Sequence, residues 1–137
     1  MAETKYGKHI MKAPIGQGEG AQAPLLFFAG KTWGVNLGIV YVPILKPMLM
    51  VDEPHAHDFD QFVCFLGSDP NNIGNLDAEI ELSLGEEGEK HVITTPSIVH
   101  FPKGLVHCPL NYKRVDKPVC HLDVFLAPEY TRKPRSK

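Results

Sequence analysis

The stretch EPHAHDFDQFVCFLG, Glu53 to Gly67, decides how the chain is read. Two histidines stand two residues apart, followed by a glutamine and then by an apolar run that ends at a glycine. On a β-strand, side chains alternate faces with period two. His55, His57, Phe59, Gln61, Val63 and Phe65 therefore share one face, and Asp58, Asp60, Phe62 and Cys64 the other. Same-face residues two apart lie about 7 Å apart along a strand. That spacing lets both imidazoles converge on one ion at about 2.0–2.1 Å from each ligating nitrogen. Gln61 lies further along the same face, with a side chain long enough to lean back toward the ion.

A second histidine-bearing stretch, HFPKGLVHCPLN, runs from His100 to Asn111. Pro102-Lys103-Gly104 is a tight-turn signal, and His107 follows it closely, so the turn fixes where that imidazole starts its strand. Isolated histidines such as His9, His91 and His100 read as ordinary surface or core residues.

The rest of the chain is a succession of short apolar runs separated by Gly, Pro, Asn and Asp. LLFFAG, WGVNLGIVYVPIL, PMLMV, QFVCFLG, AEIELSLG, KHVITT, SIVHF and PVCHLDVFLA all read as strands. Twelve glycines and twelve prolines leave little room for a long helix. The pattern predicts an all-β sandwich or barrel. SDPNNIGNLD is a long polar loop, and LGEEGEKH is a hairpin in which Gly85 and Gly88 supply positive backbone angles. With 137 residues there is one domain and enough chain to bury a core. Residues 1–24 read as an irregular N-terminal arm, 25–130 as the β-barrel, and 131–137 as a basic, solvated C-terminal tail.

Composition excludes several classes. A net charge of -2 argues against an electrostatic nucleic-acid binder. No apolar run approaches the roughly 18 residues of a membrane span. The three cysteines, Cys64, Cys108 and Cys120, are odd in number and form no CxxC, so neither a disulfide framework nor a zinc ribbon is indicated. Reduced thiols and a cytoplasmic location are the expectation. Cys64 and Cys108 fall on outward parity.

Taken together, the two histidine stretches resemble the motifs of the cupin superfamily. His55-x-His57 followed after three residues by Gln61 is similar to the first motif. Pro102-x-Gly104-x-x-His107-x-x-x-Asn111 is similar to the second from its proline onward. The resemblance covers roughly residues 25–127. Leu49 and Pro96 stand where the motifs begin with glycine, and Gly67 comes one residue early. Gln61 stands where the first motif has glutamate.

The resemblance implies a double-stranded β-helix (jelly-roll) barrel and one divalent transition metal held by His55, His57, His107 and the residue at Gln61. Imidazole and oxygen donors suit Fe, Zn, Mn, Ni or Cu. A neutral ligand set leaves the ion its full double charge and favours an anionic partner. The alternative keeps Gln61 off the metal, bonded to a bound water or substrate. Phe59, Val63 and Phe65 would line a substrate pocket with Asn111, and Glu53 would serve as an acid or base at its rim. His121 and Asp123 share a face of the last strand. The apolar set Cys120, Leu122, Val124 and Leu126 reads as core-facing, which turns His121 outward; reversed facing would bring it into the barrel as a substrate-side group. A metal-dependent enzyme on a small polar or anionic substrate is the leading expectation, with an oxygenase first and a lyase, decarboxylase or isomerase next. A non-catalytic binding or sensing module is the alternative. A homodimer is the expected assembly.

Overall fold

The computed structural model describes residues 4–134; the first three residues of the expected arm and the last three of the expected tail lie outside the described residues. The strands are β1 (Ile15–Gly16), β2 (Leu25–Ala29), β3 (Gly38–Ile44), β4 (Met48–Val51), β5 (His55–Ala56), β6 (Gln61–Gly67), β7 (Ala78–Leu84), β8 (Glu89–Ile93), β9 (Ser97–Phe101), β10 (His107–Val115), β11 (Val119–Phe125) and β12 (Lys133–Pro134). They form two sheets, ordered β1-β2-β3-β11-β6-β9 and β12-β5-β10-β7-β8, with β4 also pairing β10. All pairings are antiparallel. This is the expected all-β jelly-roll architecture, with the core between the sheets. Val42, Ile44, Val63 and Phe65 from one sheet meet Ile80, Leu82, Leu110 and Tyr112 from the other, all buried.

The expected strands appear close to their sequence limits, with one exception at Trp33. Gly30–Trp33 is a 3-10 turn closed by Gly34 at φ 68°, and β3 begins only at Gly38. The hairpin glycines take the expected positive angles, 82° at Gly85 and 66° at Gly88. The arm is more ordered than its glycines suggest and packs on its own barrel. Ile15 pairs with Leu26, and the Gln22 side chain accepts hydrogen bonds from the backbone N–H of Leu45 (2.6 Å) and Lys46 (2.9 Å).

Two readings of strand facing are corrected. The continuous strand expected from His55 to Phe65 is broken: β5 belongs to one sheet and β6 to the other, and the chain crosses between them at Asp58–Asp60. His55, His57, Phe59, Gln61, Val63 and Phe65 are nonetheless all buried. In β11 the facing is the reverse of the expected one. Val119, His121, Asp123 and Phe125 point inward, while Cys120, Leu122 and Val124 are only half-buried. The reason is register. β11 lies between β3 and β6, so His121 sits opposite Phe65 and Asp123 opposite Val63, both inward. The outer face of this sheet is itself apolar, with Tyr41, Leu122, Cys64 and Ile98 in one cross-strand row. An apolar alternation there does not mark the core.

The crossing is clasped by the turn before β10. Asp60 accepts hydrogen bonds from the Lys103 backbone N–H (3.0 Å) and from the His100 ring (3.0 Å). Those bonds hold the Asp60 carboxyl below the usual carboxylate range. The Gly104 N–H donates to the His57 carbonyl at 2.9 Å. Gly104 has φ 87°, and a Cβ built there meets nothing within 4 Å. Gly104→Ala should therefore lower stability by about 1–2 kcal/mol through backbone strain alone. Urea unfolding of the two proteins measures the difference, and a loss well below that range shows that the turn does not require the left-handed angle.

Candidate metal centre

His107 opens β10 directly opposite His55 on β5, and His57 lies where the chain leaves for the other sheet. The three rings form a nearly equilateral triangle. Their centroids are 4.9 Å apart for His55–His57, 4.6 Å for His55–His107 and 5.0 Å for His57–His107. Each Nδ1 meets a backbone carbonyl: Glu53 at 3.0 Å for His55, Leu105 at 2.9 Å for His107 and Thr131 at 2.6 Å for His57. A carbonyl oxygen can only accept, so each Nδ1 carries the hydrogen. A neutral imidazole in that tautomer presents its Nε2 lone pair, which is the arrangement that orients a ligating histidine. Stacking fixes the rings further. His107 lies on Phe101 (4.0 Å between centroids, 7° between planes), and His57 lies on Phe59 (4.8 Å, 16°).

Burial holds the His57 and His107 imidazoles down at about 4, against the backbone bonds that pull them up. His55 is lowered by the same cause. All three are therefore neutral near pH 7 and need lose no proton to bind a cation. His121 is also held at about 4 by burial. Its Nδ1 meets the Tyr112 hydroxyl at 2.7 Å, with both groups inside the barrel.

Gln61 is 3% exposed. Its Nε2 donates to Asp123 Oδ2 at 2.7 Å. Gln61 Oε1 and Asp123 Oδ1 are buried without a hydrogen-bond partner. Burial pushes the Asp123 carboxyl up to about 6, opposed by the Gln61 bond and by the Arg132 guanidinium. An unpartnered buried acceptor is costly, and the Gln61 oxygen is the kind of donor a divalent ion accepts alongside imidazoles. The residues present thus fit a metal: the ligating atoms of His55, His107 and Cys108 lie within 4.8 Å of one another, and Gln61 adds an orphaned amide oxygen, while His57 stands outside that group with its Nε2 3.3 Å from the Tyr130 hydroxyl.

Sequence reasoning missed five contributors. Cys108, read as outward-facing, is buried, and its ligating atom lies within 4.8 Å of those of His55 and His107. The register of β10 shifts between His107 and Leu110, and Cys108 has φ 84°. This irregularity turns two successive side chains inward, against strict alternation. Burial pushes its thiol up to about 12, so it is a protonated group at neutral pH. Tyr130 puts its hydroxyl 3.3 Å from His57 Nε2. Arg132 lines the same cavity as His55 and His107, and Asp123 enters it with the reversed β11. Thr131 and Arg132 are exposed, as expected of a solvated tail, yet the backbone there is engaged: the Thr131 carbonyl meets His57, and β12 pairs with β5. Nothing local in Tyr130–Arg132 signals this, because the partner histidine is more than seventy positions away.

The cavity measures about 80 Å³ and is lined by His55, Gln61, His107, His121, Asp123 and Arg132 among polar groups, and by Val63, Phe65, Leu82 and Leu110 among apolar ones. By the roughly 10–15 Å³ a water needs, it accommodates several waters or a ligand of a few heavy atoms. Val63 and Phe65 line it as expected. Phe59 stands behind His57 instead. Asn111 is half-buried on the face of β10 opposite Leu110 and Tyr112, away from the cavity. The Glu53 side chain is exposed and outside the lining; what it contributes is its backbone carbonyl. His9, His91 and His100 are exposed.

No family model matches the chain, and no curated protein matches it. Solved structures do. A point mutant of Bacillus subtilis oxalate decarboxylase superposes with a TM-score of 0.57 at 12% identity, covering 90% of this chain and 30% of that one. A deletion mutant of the same enzyme gives 0.56 at 12% identity, over 89% and 30%. A recombinant oxalate oxidase in complex with glycolate gives 0.54 at 11% identity, over 80% and 53%. The fold is the cupin fold. At these identities the likeness extends to the fold alone, and this chain spans under a third of the decarboxylase.

The metal-free protein should lose stability in acid. Unfolded histidines, with pKa 6.5, take up protons as pH falls, whereas His57, His107 and His121 stay neutral down to about 4. The unfolded state therefore binds more protons, and stability falls from pH 6.5 toward pH 4. Asp123, raised from 3.8 to about 6, works the other way in the overlapping range, but it is one group against three. Urea midpoints of metal-free protein across this range should decrease monotonically, and a flat profile is incompatible with buried neutral imidazoles.

Proposed function

We propose that the protein is a metal-dependent cupin enzyme that takes a small anionic substrate, a carboxylate, into the cavity beside one divalent ion. His55, His57 and His107 hold the ion through Nε2, with Oε1 of Gln61 as the fourth donor. The observation that carries this reading is the set of three Nδ1–H bonds to the Glu53, Thr131 and Leu105 carbonyls, which fixes all three imidazoles in the ligating tautomer. When bound, the ion supplies Lewis acidity to substrate oxygen atoms and, if it is iron, redox chemistry with dioxygen.

The chain's own residues do the rest. The ligand set is neutral, so charge balance favours an anion at the ion. The Arg132 guanidinium lines the cavity and offers a carboxylate a planar pair of donors. Phe101 and Phe59 keep the rings from turning. Val63, Phe65, Leu82 and Leu110 keep the far wall dry, which strengthens each charged contact. The small cavity favours substrates of a few heavy atoms. Oxidation by dioxygen is the first reaction class, and decarboxylation or another lyase step is the second. The names of the structural neighbours, an oxalate oxidase and an oxalate decarboxylase, support both on a small carboxylate.

Purified protein titrated with Fe(II), Mn(II) or Zn(II) should bind about one equivalent, read by elemental analysis after desalting. His55→Ala and His107→Ala should each abolish that binding. Unchanged occupancy in both variants rejects the site. Arg132→Gln should keep the metal and weaken small dicarboxylates by roughly tenfold or more in calorimetry. With the bound carboxylate, turnover with stoichiometric dioxygen uptake marks the oxidation, and carbon dioxide release without net dioxygen uptake marks the decarboxylation. Metal and carboxylate binding with neither product would make the protein a binding module.

A further inference from the structure

Gln61 and Asp123 are diagonal neighbours on one inward face. Gln61 sits opposite Phe125 across the β6–β11 pair, and Asp123 sits opposite Val63. Their contact is a hydrogen bond of 2.7 Å from Gln61 Nε2 to Asp123 Oδ2. The two ends of an amide have nearly the same shape, so packing does not decide which way it points; the partners decide. A carboxylate oxygen accepts and cannot donate, and it therefore takes the NH2 end. Turning the amide over would press Oε1 against Oδ2 in a buried place. The oxygen end is then left facing away from Asp123 with no partner, on a side chain that lines the cavity together with His55 and His107.

We propose that Asp123 is the positioning residue of the metal centre: it fixes the Gln61 amide with its oxygen committed to the ion, and the Gln61–Asp123 pair replaces a single carboxylate ligand. This rests on the metal-site reading above. The donor atom stays in contact with the ion, while the negative charge is displaced by one side chain onto β11. A glutamate at position 61 supplies oxygen and charge together but needs a donor at position 123. A glutamine supplies oxygen alone and needs an acceptor there. The residues at 61 and 123 thus specify one another. Gln61→Glu alone sets two buried carboxylates against each other, whereas Gln61→Glu combined with Asp123→Asn exchanges the two groups with almost no change of shape.

A double-variant cycle at neutral pH tests the pairing, with Co(II) as the probe. Its affinity is measured by calorimetry, and its visible spectrum reports the ligand set. Asp123→Asn should fold, lower Co(II) affinity by about tenfold or more and change the spectrum. In the Gln61→Glu background the same Asp123→Asn change should not weaken binding, and the doubly changed protein should return to within about threefold of the starting affinity. Without metal, the Gln61 side-chain amide resonance should shift on Asp123→Asn. Equal weakening by Asp123→Asn in both backgrounds assigns Asp123 a charge effect only and overturns the pairing. So does unchanged Co(II) affinity in folded Asp123→Asn. His55→Ala is the separate control: retained Co(II) binding in that variant means the metal-site reading itself has failed.

Discussion

The site depends on the cross-strand placement of His55 opposite His107. The two residues come from distant parts of the chain, and their rings are brought to 4.6 Å between centroids by one β-bridge. A bridge made by a strand as short as β5 is weak alone. It is held by the clasp at the crossing, where the His57 carbonyl and the Asp60 carboxylate accept the N–H groups of Gly104 and Lys103. The same crossing carries the chain out of one sheet and into the other. His55 and Gln61 therefore line the cavity from different sheets.

The electrostatics of the cavity follow from that enclosure. Burial keeps the imidazoles neutral and raises Asp123, because charge is poorly solvated between the sheets. The cations and anions of the site are few and come from its margins: the Arg132 guanidinium from the C-terminal strap and the Asp123 carboxylate from β11. A divalent ion there would be the largest local charge, and the neutral donors around it would leave that charge available to a ligand.

Much of this was legible in the chain. The strands from Leu25 to Phe125 announce themselves through β-branched and aromatic runs cut by glycine and proline. The parity of Gln61, Val63 and Phe65 is inward as read. The PKG turn starts β10 at His107 as its spacing requires. The errors have physical causes. β11 faces opposite to its apolar alternation because both faces of its sheet are apolar, so hydrophobicity does not distinguish them. Cys108 is buried against its outward parity because a register shift breaks alternation beside His107. The pairing of Lys133 and Pro134 with β5 is not legible in the tail, because a basic composition says nothing about the strand it pairs with.

By itself the sequence determined the strand content, the histidine spacing and the chemical type of the donors, since these are set by local periodicity and side-chain chemistry. Only the tertiary structure decided which way His121 and Asp123 face, which carbonyls fix the three tautomers, and which group holds the Gln61 amide. Each of those depends on the register between strands distant in the chain, and a local pattern carries no register.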